Sequence, residues 1–138
     1  MDYKVYIKEL ENSQCSYFAL ILPNGNEWIS QFIEQLVASD MNEFWKKINV
    51  LIKEKKYEEK SRIWLNEVAL ELTLCEGKNM FKIFSPAMMP FGGSFSYISP
   101  EDFKELLEIW MQEKTEFTKN PKEYKEKLKN TDAIIEEY

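Results

Sequence analysis

The sequence predicts an α+β domain in which a mostly antiparallel sheet of about five strands carries helices packed largely on one face. Two observations lead to this prediction. Apolar and polar residues alternate from Val68 to Cys75 and a turn sequence follows, which is typical of a β-hairpin. Apolar residues recur at helical spacing between Trp28 and Ile52, which is typical of two amphipathic helices. The predicted order is β-β-α-α-β-β-β-α-α, within a single domain over residues 1–138.

The first two strands precede both helices. Tyr3, Val5 and Ile7 alternate with more polar neighbours and predict a strand with one buried face. Residues 16–22 form an almost continuous apolar run of strand length, which predicts a central position in the sheet. Residues 11–14 and 23–26 are turn sequences that end these two strands.

Helix starts and stops are marked in the sequence as well. Asp40 and Glu43 have the spacing of a capping box, which begins the second helix. The mixed Lys and Glu residues over positions 53–60 are typical of a solvated helix end. Ser99 followed by Pro100 begins a third helix, and Asn120 followed by Pro121 begins a weaker last one.

Three further strands lie between the second and third helices. Residues 62–66 form a strand or strand extension, and residues 68–75 and 80–84 form a hairpin around the Glu76–Asn79 turn. In this hairpin Val68, Leu70, Leu72 and Leu74 are predicted to face the core, while the alternating residues face solvent. A Pro- and Gly-marked connection leads to a short strand over residues 94–98.

Composition excludes several kinds of chemistry. Histidine is absent, so Ser-His-Asp and Cys-His nucleophile systems and histidine-containing zinc sites are excluded in their usual form. The net charge of −6, with no basic cluster, argues against a nucleic-acid partner and suits a cationic protein partner. Cys15 and Cys75 lack metal-ligand spacing and are predicted to be buried thiols in a reducing compartment. We expect no cofactor, no membrane segment and no secretory leader, and hence a cytoplasmic protein.

Acidic and aromatic residues form the candidate partner-binding set. Glu67 and Glu71 are placed on the solvent side of one strand, about 13 Å apart, which is too far for either glycosidase geometry. The third helix carries a row of acids with Lys104 as the only cation before Lys114. Such a row is either an ordinary solvated face or a surface that steers a basic protein. The predicted binding residues are Glu67, Glu71, Glu101, Asp102, Glu105, Glu108, Trp64 and Tyr97.

Two loops have weaker chemical signals. Phe91-Gly92-Gly93-Ser94 is rich in glycine, but it lacks the Gly-Lys-Ser/Thr of a phosphate loop and opens a strand. Met88 and Met89 lie between two prolines, and they either fold over the edge of the core or form an adaptable contact surface.

In its layout the chain resembles bacterial toxin-immunity proteins of contact-dependent and polymorphic toxin systems. The resemblance lies in a small acidic domain, the Phe81–Ser85 strand, and Phe91-Gly92-Gly93 followed by Ser99–Phe103. It implies a cytosolic protein that binds a cognate toxin domain, often a cationic nuclease, and blocks it sterically. It transfers no individual binding residue.

Other functions stay open at this point. The same acidic surface would suit a phage or mobile-element protein that antagonises a host factor. A domain that sequesters a small ligand, or an enzyme that uses carboxylates and tyrosines, would instead have polar groups converging in a pocket.

Overall fold

A computed structural model of the chain describes residues 3–9, 16–23 and 27–136. Within these residues the chain forms seven strands and four α-helices. The strands are β1 (Lys4–Glu9), β2 (Ser16–Ile21), β3 (Ile63–Leu65), β4 (Val68–Cys75), β5 (Lys78–Phe84), β6 (Ser96–Ile98) and β7 (Ile134–Glu136). The helices are α1 (Glu27–Val37), α2 (Met41–Lys53), α3 (Pro100–Lys119) and α4 (Pro121–Lys127). The predicted turns at residues 11–14 and 24–26 lie outside the described residues.

The α+β class and the antiparallel pairing are confirmed, but the strands divide between two sheets. The first sheet has the order β2-β1-β7, and the second has the order β3-β4-β5-β6. The predicted central position of residues 16–22 is wrong, because β2 lies at the edge of its sheet. Its apolar composition has another cause: α1 packs against this strand, and the hydroxyl of Ser30 donates a hydrogen bond to the carbonyl of Leu20.

The last strand is absent from the prediction. Residues 134–136 follow α4 and pair in parallel with β1, where Ile7 lies opposite Ile135. Parallel pairing of two distant segments leaves no local turn signal, and three residues are too few for a periodic pattern. The end of the chain therefore completes the sheet that its beginning started.

One hydrophobic core joins both sheets. α1 contacts β2 of the first sheet and all four strands of the second, and α3 packs against β2 and β5. The core residues that are almost completely buried come from every layer and include Ile7, Leu20, Ile29, Phe32, Leu70, Phe81, Phe103 and Trp110. The predicted packing of helices on one face of the strands is confirmed for the second sheet.

The predicted helix caps are confirmed in detail. The side chain of Asp40 accepts a hydrogen bond from the backbone N–H of Glu43 at 3.1 Å, and Ser99 accepts from Asp102 at 3.1 Å. Asn120 caps α4 in the same way, accepting from Glu123 at 3.2 Å. These local signals work because a cap needs only residues within one turn of each other.

The hairpin turn positions the second sheet. Glu76 and Gly77 both have positive φ, of 53° and 78°, so the connection between β4 and β5 is a two-residue turn. This turn places Cys75 opposite Lys78 and brings Glu71 opposite Lys82. Cys75 is half-buried and has a free thiol, while Cys15 lies outside the described residues. None of the described helices combines the length and hydrophobicity needed to cross a bilayer.

Candidate functional site: the outer face of the second sheet

We call the side of the second sheet that points away from α1 and α3 the outer face. Strand register aligns its side chains in two rows, because residues opposite each other in antiparallel strands point to the same side. In one row Trp64 lies beside Ala69 and Phe84. In the next row Glu71 lies beside Lys82 and Tyr97.

An ion cluster occupies the middle of the outer face. Glu71 is only 2% exposed, and its carboxylate accepts hydrogen bonds from Arg62 at 2.5 Å. The Nζ atom of Lys82 lies 3.2 Å from the other oxygen of Glu71 and 2.7 Å from Glu58. Thr73 donates to the remaining oxygen of Glu58 at 2.6 Å. Every carboxylate oxygen of the cluster therefore has a partner, which a buried charge requires.

The electrostatics of the cluster follow from these contacts. The hydrogen bond from Lys82 is the main reason that the pKa of Glu58 lies below its ordinary value of 4.5, and Thr73 adds to the effect. Burial by itself would lower the pKa of Lys82. Its hydrogen bonds to Glu58 and Glu71 outweigh that effect, so the pKa of Lys82 lies above its ordinary 10.5. Both groups are held in their charged forms at neutral pH.

Glu58 belongs to a segment that we call the strap, residues 54–61 between α2 and β3. The sequence suggests a solvated helix end here, but α2 stops at Lys53 and the strap crosses β4 instead. The buried hydroxyl of Ser61 accepts a hydrogen bond from the N–H of Leu72 at 2.7 Å and so ties the strap to β4. The strap therefore covers the outer face at Glu71 and Thr73, and both faces of β4 are buried from Val68 to Thr73. The prediction that Leu74 faces the core is wrong, because this residue near the end of the hairpin is 49% exposed.

Aromatic side chains surround the ion cluster. The rings of Phe84 and Phe95 meet edge to face with centroids 5.2 Å apart, and Tyr97 lies 6.3 Å from Phe95. Lys82 Nζ lies 5.0 Å from the centroid of Phe95, and the guanidinium of Arg62 lies 5.4 Å from that of Phe84. These cation–π contacts hold the aromatic rings in place.

Several of these aromatic groups remain open to solvent. Trp64 is 54% exposed, Tyr97 is 49% exposed and Phe95 is 38% exposed. Phe91 is 81% exposed, at the end of a 3-10 turn over Pro86–Phe91. Met88 in this turn is exposed and Met89 is half-buried, so the two methionines only partly cover the core. Exposed Trp, Tyr and Phe are the residue types that most often anchor protein interfaces.

A groove of about 540 Å³ opens beside the ion cluster. Arg62, Lys82, Phe84, Met89 and Phe95 contribute to its lining. Catalysis would need an acid, base or nucleophile that is free to exchange a proton or attack a substrate. Of the three carboxylates that line the groove, Glu58 and Glu71 are held by internal partners, while Glu59 is exposed and has no ion-pair partner among the described residues. The held pair suits a rigid scaffold for the aromatic groups. Among the described residues, His, Cys, Asp and Glu nowhere gather as a metal-binding group of three.

The acidic strip is the second element of the candidate site, and we define it as Glu101, Asp102, Glu105 and Glu108 on α3. All four side chains are exposed. None forms an ion pair with another described residue, whereas Glu113, further along the same helix, accepts a hydrogen bond from Tyr124 at 2.6 Å. The strip begins four residues after Tyr97, so the Cα atoms of Tyr97 and Glu101 lie within about 14 Å.

The structure separates the predicted binding residues into four groups. Tyr97 lies on the outer face at β6, and the acidic strip lies on α3, which packs against the other face of the sheet. Trp64 lies at the opposite edge of the outer face, about 14 Å away across three strand spacings of about 4.8 Å. Glu67 is exposed in the turn between β3 and β4.

The prediction that Glu71 faces solvent beside Glu67 is wrong. The strap covers this part of β4, and the two cations on its flanks draw the carboxylate into the cluster. Glu71 therefore stabilises the scaffold and is not available to a partner.

Sequence reasoning missed Arg62, Lys82 and Glu58. A signal for Lys82 was present: with Glu76 and Gly77 as a two-residue turn, counting back along both strands places Lys82 opposite Glu71. No comparable signal exists for Glu58, because the path of the strap depends on tertiary packing.

Comparison of the chain with protein-family models, with curated proteins and with solved structures finds no match.

Proposed function

We propose that this protein is a non-catalytic inhibitor that binds another protein, and that its partner is a cationic toxin domain of nuclease type. The partner class comes from the resemblance to toxin-immunity proteins. The observation that carries the proposal is the presence of exposed aromatic side chains on the outer face together with an exposed acidic strip on α3, whose four acids have no ion-pair partner among the described residues.

The exposed aromatic side chains and the acidic strip have different roles in binding. Exposed carboxylates raise the association rate with a cationic protein by long-range attraction, while contributing less to the lifetime of the complex. Aromatic side chains supply the buried apolar contacts that slow dissociation. Tyr97 and Phe95 serve as anchors, because Lys82, Phe84 and the strands hold their rings in position before any partner arrives. Trp64 and Glu67, at the far edge, remain predicted contacts.

Binding of this kind needs no chemistry from the inhibitor. Glu58 and Glu71, two of the three acids that line the groove, are held by Arg62, Lys82 and Thr73. This supports a binding protein over an enzyme, and a phage or mobile-element antagonist of a host factor would use the same surface. A domain that sequesters a small ligand would be stabilised against thermal unfolding by that ligand.

The test is to mix the protein with the toxin domain encoded beside its gene and to separate the mixture by gel filtration. We expect a complex that survives the column at low salt and weakens as salt rises. Tyr97→Ala should raise the dissociation constant about tenfold or more, as loss of an aromatic anchor does.

Leu74→Ala is the matched control, because Leu74 is also 49% exposed but lies at the end of the β4–β5 hairpin. It should leave binding unchanged. Absence of a complex, or equal effects of the two substitutions, would contradict the proposal.

A further inference from the structure

The free edge of β3 is a second surface, at the far side of the sheet from β6. β3 lies at one end of the order β3-β4-β5-β6. Backbone groups of successive residues in an antiparallel strand face opposite sides. The two-residue turn after Leu65 directs the carbonyl of Leu65 toward the N–H of Val68 in β4. The N–H and C=O of Trp64 therefore face away from β4, toward the free edge.

This edge has few of the features that protect a strand against pairing. Natural sheets block their edges with very short strands, lysines, prolines, bulges or covering segments, and among the described residues β3 has only its short length. β3 consists of Ile63, Trp64 and Leu65, and the Trp64 side chain is 54% exposed. Among the described residues, Trp64 receives no backbone hydrogen bond from outside its sheet.

An apolar groove of about 560 Å³ runs between β3 and α2. Leu36, Phe44, Ile63 and Leu65 line it, together with Val50, which is 51% exposed although it is apolar. A free strand edge and an exposed apolar groove thus lie side by side, so one occupant could cover both.

Charges on the rim of this groove indicate which occupant fits. Asp40 and Glu43 lie at the start of α2, which Asp40 caps, and Lys46 and Lys47 lie one turn further on. Glu43 and Lys46 also form an exposed pair within the chain at 3.7 Å, and a surface pair of this kind stabilises the fold only weakly. Equal numbers of acids and lysines do not complement a strongly cationic partner, unlike the acidic strip. These charges complement the same surface of a second copy related by a two-fold axis. Such an axis reverses the direction of α2 and directs the acids of one copy toward the lysines of the other.

We propose that two copies of this chain pair antiparallel through β3, with Trp64 opposite Trp64 of the second copy on the two-fold axis. The N–H of each Trp64 donates to the C=O of the other, and Ile63 of one copy lies beside Leu65 of the other. The two four-stranded sheets join into one continuous sheet, and Val50 of each copy becomes covered. This inference does not depend on the proposed function, and in the dimer Trp64 contacts the second copy instead of the toxin domain.

Sedimentation equilibrium of the purified protein alone tests the pairing. We expect the average mass to rise with concentration toward twice that of one chain. Trp64→Pro removes the N–H that bridges the copies, and an edge strand tolerates proline where its N–H faces outward. It should raise the dimer dissociation constant at least tenfold and more than Trp64→Ala does. Wild-type protein that stays monomeric at every concentration, or a Trp64→Pro dimer of unchanged strength, would overturn the proposal.

A charge reversal tests the same interface without altering β3. Glu43→Lys should weaken the dimer, and adding Lys47→Glu should restore it, with circular dichroism confirming the fold of both variants. If neither substitution changes the dimer dissociation constant, the pairing of the two α2 surfaces is ruled out. Glu108→Lys is the control, because it changes the net charge equally on α3. It should leave the dimer intact while weakening binding of the toxin domain, so failure of the dimer and failure of the inhibitor function are separable.

Discussion

Two sets of carboxylates in this protein have opposite environments. Glu71 is 2% exposed and is held by Arg62 and Lys82, whereas the four acids of the strip on α3 are exposed and have no ion-pair partner among the described residues. A carboxylate is therefore part of the internal ion cluster in one place, and in the other it is available to attract a cationic partner. Burial and partners decide which role a carboxylate has, since the residue type is almost the same in both.

The largest expected effect comes from breaking the buried set. Glu71→Ala leaves Arg62 and Lys82 without their shared carboxylate, so we expect the free energy of unfolding to fall by about 3 kcal/mol, at the low end of the range for broken buried pairs because both cations keep some contact with water. Urea unfolding measures this. Glu105→Ala on the strip should change stability by less than about 0.5 kcal/mol. Similar losses for the two variants would refute the contrast.

Substitutions in the acidic strip should change the association rate and leave the stability of the fold nearly unchanged. Reversing charge at Glu105 and Glu108 should slow association with the cationic toxin domain about tenfold at low ionic strength while leaving thermal stability and dissociation nearly unchanged. Stopped-flow or surface plasmon resonance would measure both rate constants. High salt should remove most of the difference between variant and wild type, because screening removes the steering. Unchanged association kinetics would reject α3 as the docking face.

The smallest effect concerns Glu58 at the boundary between the two environments. Its pKa in the folded protein is below the ordinary 4.5, so the stability it contributes is present above pH 4.5 and is lost as pH falls through the folded value. Glu58→Gln should therefore unfold at a lower temperature than wild type at pH 7. The difference should shrink as the pH is lowered from 7, because Glu58 of the wild type becomes protonated as the pH falls through its folded pKa. Calorimetric scans at a series of pH values would show it, and a constant difference would contradict the assignment.

Sequence reasoning succeeded where the physics is local. The caps at Asp40, Ser99 and Asn120 and the turn at Glu76–Gly77 each depend on residues within a few positions of one another. The exposure of Trp64 and Tyr97 also follows from strand alternation, because their neighbours in sequence face the core. The acidic strip follows from helical spacing in the same way.

Prediction from the sequence failed where a segment distant along the chain determined the environment of a residue or strand. Alternation places Glu71 on the solvent side of β4, and only the strap from residues 54–61 and the side chains of Arg62 and Lys82 make that side an interior. The edge position of β2 and the pairing of β7 with β1 have the same origin. Partners more than a hundred positions apart leave no periodic trace in either segment.

By itself, the sequence determined the α+β class, the helix starts, the hairpin and the absence of histidine chemistry, because composition and short-range periodicity encode these properties directly. The tertiary structure alone decided that the strands form two sheets, which carboxylates are buried, and which strand edge stays open. Those properties depend on which distant surfaces cover one another. A pattern of residue types records only that some surface must be covered, and the folded chain decides which segment covers it.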